Sequence, residues 1–297
     1  MFSTQPPSGR APRRDLHLVR AARRTFTGPA QFLADPGNRA RVAVYLTDLA
    51  ATGGHTIADG AFGAPPAPEL GHSYGEMAHA LIGSLVRPDE PVDLLILAFA
   101  VHDLRPGRQT ATYLSHVTPG TPMAFAVCDQ GSAAAFSGLR IACEYAASGG
   151  VGRALLVVVE QAALPYPCPV PLPSRHRAVA MLLEHGAPPP ARVAAVRQHP
   201  GVEPDQVAGL AAKELDDLSA NREVRLVLGA ALGAVWTAPA AGQVRVMPAG
   251  QPATAVWWGL VDELTGPAGV PDLLVAADYD PGLRYLCLTA LDTPTVR

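Results

Sequence analysis

The chain has 297 residues and little with which to hold a nucleotide, a metal or a membrane. Neither a Gly-x-Gly-x-x-Gly run nor a Walker pattern occurs, which removes the common phosphate cradles. There is no His-Glu-x-x-His and no Cys-x-x-Cys, and Cys128, Cys143, Cys168 and Cys287 have neither metal-ligand spacing nor the look of a disulfide framework. Cys128, Cys143 and Cys287 lie in apolar surroundings, where cysteine serves as a small hydrophobe. No metal and no cofactor is expected. No apolar run reaches the length of a membrane helix, and the charged, proline-rich start lacks the apolar region of a secretory signal. A cytoplasmic protein without a membrane partner is therefore expected. A net charge of −3 gives no reason to expect nucleic acid, and Arg10, Arg13, Arg14, Arg20, Arg23 and Arg24 read as a solvated basic arm rather than a binding patch.

What is present is apolar bulk. Hydrophobic residues make up 48% of the chain, enough for the core of one large domain or two ordinary ones. The organising stretch is residues 123–161. It begins with the apolar run MAFAVC (123–128), long enough for a buried strand. A polar, glycine-bearing corner follows at 129–132. An alanine-rich helix over 133–147 places Ala135, Leu139, Ala142 and Ala146 on one stripe. Ser148-Gly149-Gly150 stops it, and the continuous apolar run at 154–159 reads as a buried strand. This order aims the corner and the helix N-terminus at one point, where free N–H groups favour negative charge. Ser132 is the candidate nucleophile there, and the local run Gln130-Gly131-Ser132-Ala133-Ala134 is not a Gly-x-Ser-x-Gly elbow.

Around this stretch the spacing predicts a disordered arm at 1–14, strands at 16–19 and 41–46, a loop at 51–70 and an amphipathic helix at 74–85. A strand at 92–98, a turn at 102–107 and a short helix at 109–115 come next. Residues 164–173, dense in proline, form an extended loop, and an apolar strand follows at 178–183. The triple proline within 186–190 marks a boundary, dividing the chain into halves at 15–185 and 186–297. The second half repeats the rhythm, with strands at 191–197, 224–228, 244–247, 273–277 and 285–291 and helices at 204–218, 230–236 and 253–264; Asp280-Pro281-Gly282 turns between the last two strands. Alternating strands and helices predict an α/β fold with a parallel sheet, and the repeated rhythm predicts a duplication.

At this point the residues carry a resemblance. VDLLILAF, then HDLRPGRQTATYL, then MAFAV, the Ser132 corner with its alanine-rich helix, and SGGVGRALLVVVE resemble β-ketoacyl-ACP synthase III and the wider thiolase fold. The likeness rests on order and spacing over roughly residues 75 to 291. It implies two α/β halves in five layers, α/β/α/β/α, and a dimer formed across the strand at 123–128 and the loop at 103–108. It also implies an acyl thioester of coenzyme A or acyl carrier protein as substrate. Counting back from the helix places Ser132 where the family has its nucleophilic cysteine; counting from the strand selects Gly131.

The departures bear on the chemistry. Residues 224–236, where the family histidine belongs, contain no histidine, and Gly250-Gln251 stands for the family's Gly-Asn turn. The segment between 183 and 204 is shortened. Decarboxylative condensation needs those donors, and a serine nucleophile needs a base. The base candidates are His176 and His102, followed by His116 and His199; Gln130, Gly131, Gln251 and Trp257 are the candidate substrate contacts, with tryptophan filling the core as the competing use of Trp257. Three readings follow: a non-condensing partner of a ketosynthase-like subunit, of chain-length-factor type, in polyketide or fatty-acid-type secondary metabolism; an acyltransferase acting through Ser132 on an oxygen or nitrogen acceptor; or a binding module on the same fold. Gln130 favours the first, because glutamine replaces the cysteine in those factors.

Overall fold

The structure is a computed structural model that describes residues 15–27, 31–54, 56–57, 72–105, 109–164, 171–186, 191–219, 222–238, 243–266 and 271–293. The arm at 1–14, most of the loop at 51–70, the triple proline and Cys168 lie outside them.

The first half runs β1 (Leu16–Phe26), α1 (Gln31–Ala34), α2 (Pro36–Thr52), α3 (Tyr74–Leu85), β2 (Leu94–Ala98), α4 (Thr110–Val117), β3 (Met123–Val127), a 3-10 turn at Gly131–Ala133, α5 (Ala134–Ala147), β4 (Arg153–Glu160) and β5 (His176–His185). The second runs β6 (Ala191–Pro200), α6 (Pro204–Ser219), β7 (Val224–Leu228), α7 (Ala230–Val235), β8 (Gln243–Val246), α8 (Ala255–Thr265), β9 (Leu273–Asp280) and β10 (Tyr285–Asp292). Local chemistry sets several ends. In α3, Ser73 Oγ accepts the Glu76 N–H while Glu76 Oε2 accepts the Ser73 N–H, each at 3.2 Å, a closed capping box. The segment at 41–46 is helix rather than the expected strand, because Val42, Leu46 and Ala50 recur every four residues and form the buried face of α2. Asp35 caps that helix and Pro36 opens it.

The strands lie in the order β3-β2-β4-β5-β1-β6-β10-β9-β7-β8. Numbered within its own half, each set of five has the spatial order 3-2-4-5-1. The directions repeat as well: β2 is parallel to β3 and β4 while β5 is antiparallel to β4 and β1, and β7 is parallel to β8 and β9 while β10 is antiparallel to β9 and β6. The sheet is thus mixed, not wholly parallel, since β4 to β5 and β9 to β10 return without a crossover helix. Among the described residues the two sets pair only through β1 and β6, at His17 opposite Arg192 and Leu18 opposite Ala191.

Five layers result, α/β/α/β/α, the architecture of the thiolase fold. Helices α3 and α4 cover the outer face of the first five strands, and α6 and α7 cover the outer face of the second. Helices α5 and α8 occupy the middle: α5 packs on β2, β3 and β4 and also on β6 and β10, and α8 packs on β7 and β9 and also on β1. The predicted stripe Ala135, Leu139, Ala142 and Ala146 is buried there. Small residues let both helices approach closely. A Cβ on Gly138 of α5 would lie 2.9 Å from Leu156, and one on Gly259 of α8 would lie 2.6 Å from Val227. β3 is an edge strand with only β2 beside it among the described residues, so it is half exposed rather than buried, and Met123 faces solvent.

Packing of the middle layer makes a contrast between glycines. Gly138→Val and Gly259→Val should each lower the free energy of unfolding by about 1–3 kcal/mol through overpacking. Gly83→Ala, on the exposed side of α3 with open space around it, should raise it by about 0.5–1 kcal/mol. Urea titration of the three variants checks both signs.

Candidate functional site

The 3-10 turn and α5 begin at the C-terminal end of β3. Asp129 and Gly131 have positive φ, 59° and 49°, which turns the chain sharply and brings Ser132 to the base of α5. Ser132 is only 7% exposed. The first residues of α5 have no side-chain cap of their own, and neither have those of α8. Helix N-termini carry unpaired N–H groups and a partial positive charge, so buried ones need an acceptor.

Both acceptors come from the opposite half. Asp280, the last residue of β9, accepts the Ser132 N–H at 3.1 Å. Glu160, the last residue of β4, accepts the Ala253 N–H at 2.6 Å and the Thr254 hydroxyl as well. The two arrangements correspond: the fourth strand of each half ends in a carboxylate that caps the central helix of the other. The Asp280 carboxylate lies where a side chain on residue 131 would begin, so only glycine fits there.

A third carboxylate completes the site. Asp278, two residues before Asp280 and 6% exposed, accepts the Tyr279 N–H at 2.9 Å and lies close enough to the Ser132 side chain for that group to favour its charged form. Its Oδ1 occupies the space into which a side chain on Gly229 would project. Gly229 follows β7, in the segment where the family histidine was sought; Asp278 fills that volume instead. Burial pushes the Asp278 carboxyl up to about 7, against the Tyr279 N–H and the nearby Ser132 side chain, with Asp280 and Glu160 adding like-charge repulsion. Burial likewise raises Glu160 to about 7.

The other predicted residues are disposed differently. His176 shares the side of β5 with Ala178, Ala180 and Leu182, which pack under α3, whereas Val179, Met181 and Leu183 face the middle layer. It therefore lies on the far face of the sheet from Ser132, where its Nδ1 accepts the Ala162 N–H at 3.1 Å. His102 is exposed after β2 beside Phe99, and His116 is exposed in the last turn of α4. His199 turns outward to Glu214 of α6, 3.2 Å away. The structure brings none of these four to the Ser132 corner. Gln130 accepts a hydrogen bond from Ser137 at 2.5 Å, and Ser137 accepts one from Gln198 at 3.0 Å. The Gln251 amide donates to Ser174 Oγ at 3.1 Å and to its own turn at the Gly250 carbonyl. Trp257 is fully buried against Phe136, with ring centroids 4.7 Å apart. Beside it, a void lined by Leu18, Leu139, Met181 and Leu260 measures about 10 Å³, the threshold for a single water molecule.

Sequence reasoning missed Glu160, Asp278 and Asp280. It ended the strands at 159 and 277, leaving each acid in a loop. The available signal was an acidic residue closing a continuous apolar run in both halves, RALLVVVE and LLVAADYD.

This duplicated, five-layered fold with a corner opening a buried central helix is the thiolase fold. Solved structures with this fold match along nearly the whole chain. AbyA1, a tetronic acid condensing enzyme, matches with TM-score 0.64 and 17% identity over 93% of this chain and 99% of its own. ChlB3, described as an acyltransferase, gives 0.59 and 19% over 95% and 98%. Xanthomonas campestris OleA with bound lauric acid and lauroyl-CoA gives 0.62 and 15% over 94% and 99%. No protein-family model and no curated protein matches the sequence. Among the described residues no helix is long and apolar enough to cross a membrane, and no cluster of side chains is arranged to hold a metal.

Two predictions follow from the carboxylates. Asp280→Ala should destabilise the protein by about 1–2 kcal/mol through loss of the α5 cap, read by denaturant titration. Asp278 and Glu160 hold their protons more tightly when folded than their ordinary values of 3.8 and 4.5. The folded state therefore binds more protons between about pH 4 and 7, and stability falls as pH rises through that window and levels off above it. Calorimetric melting temperatures should drop from pH 5 to 7.5, and Asp278→Asn should flatten the drop and raise the melting temperature at pH 7.5.

Proposed function

We propose that the chain is a non-condensing, ketosynthase-like subunit that works beside an acyl-thioester enzyme or carrier protein, of chain-length-factor type, in polyketide or fatty-acid-type secondary metabolism. The observation that carries this reading is the occupation of the nucleophile corner by two carboxylates of the second half. Acyl transfer and condensation develop negative charge on an oxygen, which needs free N–H donors in a positive field. Here the Ser132 N–H is already bonded to Asp280, and the volume beside Gly229 holds Asp278 instead of a donor. Negative charge at the corner opposes an oxyanion. The packing of Phe136 on Trp257 agrees, because the void beside them among the described residues, about 10 Å³, is too small for a long acyl chain. The open edge of β3 is the surface for a second copy or a ketosynthase-like partner.

One observation favours the acyltransferase reading: the Ser132 side chain stands beside a carboxyl raised to about 7, the range suited to a general base at neutral pH. Asp278 would take the hydroxyl proton as Ser132 Oγ attacked the thioester carbonyl, and the thiol would leave. Intact-protein mass spectrometry separates the two. Incubation with lauroyl-CoA, malonyl-CoA and acyl carrier proteins should leave the mass of the wild type unchanged, while sedimentation with a ketosynthase III-like protein from the same source should show a complex. An acyl adduct on the wild type that Ser132→Ala lacks would overturn the non-condensing reading.

A further inference from the structure

A separate cluster of cationic groups lies along α8, one turn beyond Thr254. The guanidinium of Arg23 on β1 sits 4.7 Å from the centre of the Trp258 ring, and that of Arg177 on β5 sits 4.4 Å from the same centre. Arg23 and Arg177 share the face of the sheet turned to the middle layer: Arg23 stands opposite Val179, and Arg177 opposite Thr25. Arg175, two residues before Arg177 in the chain, adds a third positive charge that acts on Arg177, as does that of Arg23.

Packing on an indole accounts for one arginine. It does not account for two on one ring with a third beside them, because like charges at this range repel. The acids nearby leave the balance positive. Asp262 pairs with Arg23 and is shared with Arg245. Glu160, across from Arg177 in the β4–β5 ladder, is held up to about 7 and spends its oxygens on Ala253 and Thr254. The Arg177 Nε is buried and has no hydrogen-bond partner among the described residues. Trp258 and Arg23 are only partly buried, and Arg175 is exposed, so the cluster can be reached from solvent.

We propose that Arg175, Arg177 and Arg23, gathered on Trp258, form a binding site for a phosphate-type oxyanion. Three guanidinium groups offer the forked N–H donors that match tetrahedral oxyanions. The indole holds two of them in place beforehand, which lowers the side-chain entropy lost on binding. The site is distinct from the Ser132 corner, and binding there neither requires nor implies acyl chemistry.

The test uses the indole as reporter. Inorganic phosphate and coenzyme A are titrated at constant ionic strength, set with potassium chloride, and tryptophan fluorescence is followed. Trp258→Phe identifies the signal of Trp258 against those of Trp236 and Trp257. The expected result is a saturable change in the wild type that Arg177→Gln weakens by about tenfold, the loss of one charge-assisted hydrogen bond. Far-ultraviolet circular dichroism and melting temperature establish that the variant is folded. Tighter binding of coenzyme A than of phosphate would assign the oxyanion to a nucleotide-bearing ligand, and equal affinity would assign it to phosphate alone; both support the site. A response that does not saturate, or one that Arg177→Gln leaves unchanged, would overturn it.

Discussion

Two carboxylates placed crosswise, Glu160 buried and Asp280 half-buried, hold the centre of this molecule. Helices α5 and α8 lie between the two sets of strands, and their N-termini end in the interior. Such ends need acceptors, and neither helix supplies its own. Glu160 and Asp280 answer that need from the opposite half. Each half therefore supplies the group that the other half's central helix lacks. The small contact between β1 and β6 joins the strands, but the caps fix how the helices sit between them.

The same arrangement decides what the corner can do. A buried helix N-terminus opening at a small residue is a ready site for an anion or for a developing oxyanion. In this chain the anion is part of the protein. Asp280 takes the N–H of Ser132, and Asp278 takes the space beside Gly229. Glycine at 131 and 229 and acid at 280 and 278 are paired choices, because each carboxylate stands where a side chain would otherwise begin. The thiolase fold is kept, with carboxyl groups of the second half set against the N-terminal turn of α5.

Much of this fold was legible in the chain. Continuous apolar runs marked β2, β4, β5, β7 and β9, four-residue spacing marked α3, and the small-residue stripe marked α5 as a buried helix. The reading of 41–46 as a strand failed because RVAVYL is rich in residues that suit strands, while the face that packs is set by Val42, Leu46 and Ala50 over a longer window. The mixed direction of the sheet was not legible, since a return without a helix differs from a crossover only in where the chain goes. The base candidates went astray for a related reason. Histidines were sought near strand ends, but the register of β5 and β6 turns His176 and His199 to the outer faces.

By itself the sequence determined that this is a duplicated α/β chain, built around one small-residue helix, with no histidine where its resemblance calls for one. Local spacing and composition are sufficient for that, because helices and buried strands follow from periodicities within a few residues. Which groups meet at Ser132 was decided only in three dimensions. Asp278 and Asp280 lie nearly 150 residues from the corner, and no local pattern reports a contact of that range. The raised carboxyl of Asp278 depends on burial, and burial is a property of the folded chain.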